Sequence, residues 1–260
     1  VIEKGSQKGK KVVLNPLITC GKCDYCKNKR EHLCPKRVLL GMNRPVERQG
    51  CFAELVLTPD KNIYELPEGL DIKKAPIAEP TAVSLHAVEL GEEVLKKDLQ
   101  NSRVLIIGGG AIGLLCALIL EKYKKCNEVI LVEPNENRLK VCSNHLESDT
   151  SKPDDKRISD NSFDIVFDTV GLEITRQNSI KAVNPGGVIV HIGLTQPSGT
   201  FDFRKATLQE ITFVGTYCYT NRDFEKTLSL LSNNSLGKLE WIEYRELNKG
   251  AEAFKEIHDG

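Results

Sequence analysis

Two groups of residues have the types and spacing to do chemistry. The first is Cys20, Cys23, Cys26 and Cys34, spaced two, two and seven residues apart along a polar segment. Four thiolates so spaced can wrap one tetrahedral zinc and leave no position open to substrate. A closed site of that kind braces a loop too polar to fold on a core of its own. Two disulfides, or scattered free thiols, are the other uses of the same residues. Lys22, Lys27, Lys29 and Arg30 decorate the segment, yet nothing around it forms a recognition helix for nucleic acid. His32 could replace a thiol as ligand, but the expectation is an exposed loop histidine.

The second group is Gly108-Gly109-Gly110-Ala111-Ile112-Gly113, with the apolar run Val104-Leu105-Ile106-Ile107 before it and a helical pattern after it, reaching Lys125. Glu128 to Glu133 then reads as a second apolar strand that ends on a carboxylate. Gly108 allows a tight turn, Gly110 lets backbone approach a pyrophosphate, and Gly113 lets helix and strand pack closely. The helix start, with Ala111 and Ile112, offers free N–H groups and a positive dipole end. Glu133 stands where a carboxylate accepts hydrogen bonds from ribose hydroxyls and repels a 2′-phosphate, which points to NAD rather than NADP. Arg138, on the next helix, would lie over the adenine or pair with Glu133. A Rossmann-like fold for a different nucleotide stays open. The uncharged stretch 104–120 approaches the length of a membrane span, but three glycines and a strand-to-helix switch argue against one.

These groups need elements to hold them. Residues 1–75 read as β-rich, with strands expected at 11–14, 53–57 and 62–66, punctuated by glycine and proline. Residues 78–88 read as a helix with Pro80 in its first turn and Val83, Ala87 and Leu90 on its buried face. Glu79 at its start is either a helix-dipole carboxylate or a metal-site residue, and spacing alone favours the dipole. Further on, helices are expected at 135–146, 172–183 and 223–231, a strand with its glycine exit at 163–171, and strands at 188–194 and 211–217. Asn184-Pro185-Gly186-Gly187 reads as a turn, and residues 148–162 show no clear strand. His191 is expected to be a hydrogen-bonded core histidine. Alternating strands and helices argue an α/β, doubly wound sheet whose ligands bind beyond the C-terminal strand ends. That gathers Gly108–Gly113, Glu133, Thr169, Val170, Gly171, Ile192, Gly193, Leu194, Tyr217, Cys218 and Tyr219 round one crevice.

The chain has 260 residues, and Lys+Arg and Asp+Glu both number 36. Zero net charge with no long run of one sign gives no support for nucleic acid or membrane surface as the partner. Nine cysteines, four at metal spacing, fit a reducing cytoplasm better than a secreted disulfide framework.

The cysteine segment, the Ala78-Glu79-Pro80-Thr81-Ala82-Val83-Ser84-Leu85-His86-Ala87-Val88 stretch and the GGGAIG turn together resemble the zinc-dependent medium-chain alcohol dehydrogenases. Within them the chain looks most like the polyol branch of sorbitol, L-idonate and galactitol-phosphate dehydrogenases. The resemblance implies a partial, β-rich GroES-like catalytic domain over 1–83, an NAD-binding Rossmann domain over 84–235, and a return to the catalytic domain over 236–260. It implies structural zinc on Cys20, Cys23, Cys26 and Cys34, and a carboxylate, Glu79, at or beside the catalytic zinc. It also implies that backbone at Ile192, Gly193 and Leu194 holds the nicotinamide carboxamide. The implied activity is NAD-linked oxidation of a polyol's secondary alcohol to a ketose by a cytoplasmic homodimer or homotetramer, with the strand near 211–217 as the candidate interface. Several departures qualify it. The Cys-Gly-x-Cys-Gly-Ser-Asp and Gly-His-Glu stretches that carry the catalytic ligands are missing, and the family's final strand is not reached. Residues 148–162 run about ten short, at the expected cost of a helix or strand. Cys218 stands where polyol enzymes often carry arginine. The expectation is therefore an inactive fragment of such an enzyme, cut at both ends. Gly41-Met42-Asn43-Arg44-Pro45 resembles the L-threonine dehydrogenase branch instead, and a non-catalytic NAD-binding module is the third reading.

Overall fold

The computed structural model describes residues 1–4, 8–42 and 47–259. Its strands are β1 (Val12–Leu14), β2 (Leu17–Ile18), β3 (Val38–Leu39), β4 (Ile63–Glu65), β5 (Arg103–Ile107), β6 (Glu128–Val132), β7 (Asp149–Ser151), β8 (Phe163–Asp168), β9 (Val183–His191) and β10 (Thr212–Gly215). Its helices are α1 (Asp24–Lys27), α2 (Ala78–Val94), α3 (Ala111–Leu118), α4 (Glu136–His145), α5 (Glu173–Ala182), α6 (Phe203–Leu208), α7 (Asn221–Ser232) and α8 (Gly250–Asp259). The chain divides into two compact units. One comprises 1–82, 217–235 and 242–257; the other comprises 83–216, 236–241 and 258–260. Residues 217–235, expected with the nucleotide-binding half, thus group with the first unit.

In the first unit β1 pairs antiparallel with β4, and β2 with β3. Asn62 Nδ2 donates to Asn15 O and Leu17 O, both at 2.8 Å, and ties these short strands together. α7 joins the unit through rings: Phe224 lies 5.0 Å from Tyr64 and 5.6 Å from Tyr219. Asn221 N–H also donates to Glu31 at 2.7 Å. Residues 53–57 do not form the expected strand. The apolar alternation is there, but no described strand pairs with it, and Leu55 and Leu57 are 68% and 84% exposed. A strand without a ladder leaves its backbone groups to water. His32 departs from expectation too: the tight turn Glu31–Leu33 folds it inward, only 7% exposed.

The second unit is built on a six-stranded sheet of order β10-β9-β8-β5-β6-β7, parallel at every pairing. Its central strands are apolar along their length because helices cover both faces. Val104, Ile106, Ile165, Val166 and Phe167 are fully buried. Gly91 lets α2 seat on the sheet, where a Cβ would come within 2.8 Å of Ile165 and 2.9 Å of Val190. The buried residues of α2 are Ala78, Thr81, Ala82, Ser84, Leu85, Ala87, Val88 and Gly91, whereas Val83 and Leu90, expected on that face, are partly exposed. α3 is buried from Gly113 to Leu118, then widens into a π turn over Ile119–Tyr123 and stops at Lys125, whose φ is +59°.

Two further expectations are corrected here. Residues 148–162 do hold a strand: polar β7 forms the sheet edge beside β6, where one flank needs no burial. Asn184 to Gly187 is not a free-standing turn but a bulge within β9, since Phe163 pairs with Val183 and Ile165 with Val188. Pro185 cannot donate to a ladder, and Gly186, at φ +72°, sends its N–H to Gln209 O instead.

Candidate functional site

The glycine turn leaves β5 at Gly108, where φ is +104° and a Cβ would lie 2.5 Å from Val170 Cγ2. Only glycine fits there. A Cβ on Gly113 would stand 1.9 Å from Gly108 O, so helix and strand pack as closely as the spacing implied. Gly110 differs from both. Its φ is −71°, and a Cβ would meet nothing within 4 Å. No contact in the fold requires glycine at 110, so the bare backbone leaves room for something outside the chain. Gly110 is also the N-cap of α3 and makes no side-chain capping bond, so the helix dipole faces open space.

Glu133 sits where expected, at the end of β6 and 5% exposed. Its Oε2 accepts the Gly109 N–H at 2.6 Å and its Oε1 the Asn135 N–H at 2.8 Å. The carboxylate is thereby locked in orientation, acceptor-only, with lone pairs left for hydroxyl donors. Gly109 was missed at the sequence level. A side chain there would fall 2.9 Å from Glu133 Cβ and 3.0 Å from Cys142 Sγ, so its absence brings the carboxylate against the turn. The signal was a third consecutive glycine, redundant in a GxGxxG pattern. Arg138 follows the Asn135 cap and lines the same cavity as Gly108 and Glu133.

Two neighbouring turns are held by one residue that spacing did not single out. Asp168, fully buried at the end of β8, accepts the Val170 and Gly171 N–H groups at 3.1 and 2.9 Å and the Thr175 hydroxyl at 3.1 Å. Its carbonyl accepts Ile192 N–H at 2.9 Å and Gly193 N–H at 3.1 Å. Thr169 Oγ1 donates to Ile107 O at 2.8 Å and so ties its turn to the glycine turn. Gly171 and Gly193 are in backbone contact, a Cβ on Gly171 falling 2.1 Å from Gly193 O. The structure thus brings Gly108, Thr169, Val170, Ile192 and Gly193 together, with Leu194 beside them and 82% exposed. Tyr217 belongs to the first unit, its ring 4.6 Å from the Arg37 guanidinium.

His191 is not the hydrogen-bonded histidine expected. Its Nε2 is buried without a hydrogen-bond partner, 3.7 Å from Asp168 Oδ2, and its ring lies 5.5 Å from Phe213. Burial holds its pKa below the usual 6.5; Asp168 pulls it upward and Arg176 further down.

The four cysteines converge. One Sγ from each of Cys20, Cys23, Cys26 and Cys34 lies within 4.8 Å of the others, and none is in a disulfide. Cys23 to Cys26 is 3.5 Å and Cys20 to Cys26 is 3.9 Å. Zinc–sulfur bonds of about 2.3 Å at tetrahedral angles put sulfurs about 3.8 Å apart, so the set fits zinc. Backbone N–H groups of Lys22 and Cys23 pull Cys20 down to about 6, a thiolate at neutral pH. Burial pushes Cys26 up to about 12, so loading the site must displace a proton.

Glu79 lies in the first turn of α2 and accepts the Tyr219 hydroxyl at 3.2 Å. Burial raises its pKa, and the Tyr219 bond partly offsets that. Among the described residues, the four cysteines are the only cluster of three or more metal-competent side chains. Glu79 has no such company, so these residues do not fit a catalytic zinc. The threonine-branch signal lies partly at residues 43–45, outside the described residues. No helix among the described residues is long and apolar enough to cross a membrane.

Residues 111–233 match the family model for the zinc-binding dehydrogenase domain, and residues 2–68 that for the alcohol dehydrogenase GroES-like domain. The chain is 24% identical to the probable D-xylulose reductase A of Neosartorya fischeri over 269 residues, covering 98% of this chain and 73% of that protein. It is 27% identical to the L-threonine 3-dehydrogenase of Legionella pneumophila over 222 residues, 82% of this chain and 62% of that one. Among solved structures, one described as a short chain alcohol dehydrogenase (rspB) from E. coli CFT073, complexed with NADH, superposes with a TM-score of 0.84 at 20% identity, covering 96% of this chain and 74% of that one.

Proposed function

This chain belongs to the zinc-dependent medium-chain dehydrogenase family, and on that premise we propose that it carries the NAD-binding and zinc-braced machinery of a polyol dehydrogenase. The observation that carries the reading is the open backbone at Gly110 beside a Glu133 carboxylate already locked against the glycine turn. We assign cofactor binding to Gly108, Gly110, Ala111, Ile112, Gly113, Glu133, Arg138, Thr169, Val170, Ile192, Gly193 and Leu194, all in the sheet unit.

NAD, when bound, supplies the hydride acceptor. The chain's own part is positional. The first-turn N–H groups of α3 take the diphosphate, Glu133 accepts from the ribose hydroxyls, and the Asp168-held turns present backbone at Ile192 and Gly193 to the carboxamide. Cys20, Cys23, Cys26 and Cys34 would hold a structural zinc, which would brace residues 20–34 and leave no open position for substrate. The substrate class follows the xylulose reductase likeness and the Ala78-Glu79-Pro80 stretch: a sugar alcohol oxidised at a secondary carbon. The threonine likeness supports amino-alcohol oxidation as the second reading. Copies of the chain pair through β10, an outer strand of the sheet whose Phe213 is 45% exposed.

Because one carboxylate cannot hold a catalytic zinc, the chain as it stands has no polyol turnover. Measuring NAD reduction on xylitol, sorbitol and L-threonine tests this. The chain alone should show no turnover. Fused to an added N-terminal segment that supplies a Cys and a His as zinc ligands, the chain should oxidise the polyols at least about tenfold faster than threonine, one extra discriminating contact's worth. Turnover by the chain alone, or a preference for threonine, contradicts the proposal.

A further inference from the structure

Every parallel connection in the sheet but one carries a helix among the described residues. α3 joins β5 to β6, α4 joins β6 to β7, α5 joins β8 to β9, and α6 joins β9 to β10. The exception is residues 152–162, which run from β7 to β8 through turns alone. This is also the longest traverse. It starts at the β7 edge and passes β6 and β5 to reach β8, three strand spacings or about 14 Å. Such crossovers ordinarily need a dozen or more residues and a helix to cover the sheet face. Without one, the face beneath the crossover is incompletely filled.

The structure has a cavity of 570 Å³ there. Its floor is the apolar sheet surface of Leu105, Ile107 and Val132, its roof is Ile158 of the crossover, and α5 supplies a wall through Asn178 and Ala182. Ile158 packs against the same apolar cluster as these floor residues but is itself only partly buried. The cavity is continuous with the proposed nucleotide site, since Gly108 and Glu133 line it too. A volume of that order holds a whole drug-sized ligand, the usual range being about 300–1,000 Å³. An adenosine whose ribose sat on Glu133 would enter this cavity from the side that Gly108 and Glu133 line, and the inference concerns the apolar end under Ile158.

We infer that the helix-free crossover creates an apolar chamber behind the adenosine position, which takes an uncharged, ring-sized apolar group. The inference rests on the dinucleotide reading. The group arrives either as a substituent on the adenine or as a separate small molecule beside the bound nucleotide. Its driving force is displacement of water from Ile158, Leu172 and Ile174, the apolar lining residues that keep solvent exposure above a floor already buried.

Calorimetry on the intact chain tests this with three probes: ADP-ribose, N6-benzyl-ADP-ribose, and benzyl alcohol added at saturating ADP-ribose. The chamber gives the benzylated nucleotide an affinity about tenfold or more above ADP-ribose, the worth of burying one phenyl ring, or it gives saturable benzyl alcohol binding. Ile158→Trp fills the chamber from its roof and removes either gain while leaving ADP-ribose affinity unchanged. Asn178→Trp does the same from α5, should the first variant fail to fold. No gain with either ring-bearing probe, or a gain that survives both variants, overturns the inference. If ADP-ribose itself does not bind, the dinucleotide reading falls separately, and the chamber stands or falls on benzyl alcohol binding to the free protein.

Discussion

At the scale of single residues, three glycines six positions apart or less do different jobs, and substitution separates them. Gly110→Ala meets no protein atom, so stability should hold within about 0.5 kcal/mol, as at an unconstrained surface site. NADH affinity should nevertheless fall about tenfold or more, because the methyl enters the phosphate's space. Gly113→Ala drives a methyl to 1.9 Å from Gly108 O and should cost about 3 kcal/mol in urea unfolding, the upper range for overpacking. Equal loss of binding without loss of stability in both variants would contradict this division. His191 sets a pH response. Its folded pKa is depressed, first by burial, so its contribution is intact above the unfolded value of 6.5 and is lost as pH falls through the folded pKa. Stability should decline on acidification below 6.5, at no more than about 1.4 kcal/mol per pH unit from this group. His191→Phe, beside Phe213, should flatten that part of the profile in thermal melts at stepped pH; an unchanged slope would refute the assignment. The glycine turn and Glu133 were legible because their chemistry is local. Asp168 was not, because its role is to join two turns more than twenty residues apart in sequence, and no spacing rule records that. His32 misled for a related reason: a polar loop wound round four thiols has an inside.

At the scale of elements, long apolar strands and capped helices were readable, and unpartnered or polar ones were not. β5, β6 and β8 announce themselves because a strand buried on both faces has no polar alternation. β7 is polar and edge-bound, so its pairing with β6 alone defines it. Residues 53–57 have a strand's alternation but no described partner, and the pattern by itself could not report that. The cysteine lobe is an element held by its metal, which yields a prediction. Metal analysis should find one tightly bound zinc per chain. Chelation at pH 7 should raise amide hydrogen exchange across residues 20–34 while leaving β5, β6 and β8 protected. Two zincs per chain, or exchange unchanged in the lobe, would count against the assignment. The β10 edge yields another: light scattering should give a dimer, and Phe213→Glu, which plants a charge on that exposed strand, should give a monomer. A variant still dimeric places the interface elsewhere.

At the scale of the whole molecule, the alternation of strands and helices was enough to identify a doubly wound sheet, and its order places β5 and β8 at the topological switch point. How the chain divides was less legible. Residues 217–235 leave the sheet and join the β-rich unit, because Phe224 finds ring partners in Tyr64 and Tyr219, contacts between residues distant in sequence. We hold the turn after β5 to be a diphosphate cradle selective for NAD through Glu133. Isothermal titration of the zinc-loaded chain with NADH and with NADPH decides this. One NADH should bind per chain, about tenfold or more tighter than NADPH, because Glu133 repels a 2′-phosphate. No NADH binding to folded protein, or equal affinity for the two, would contradict it.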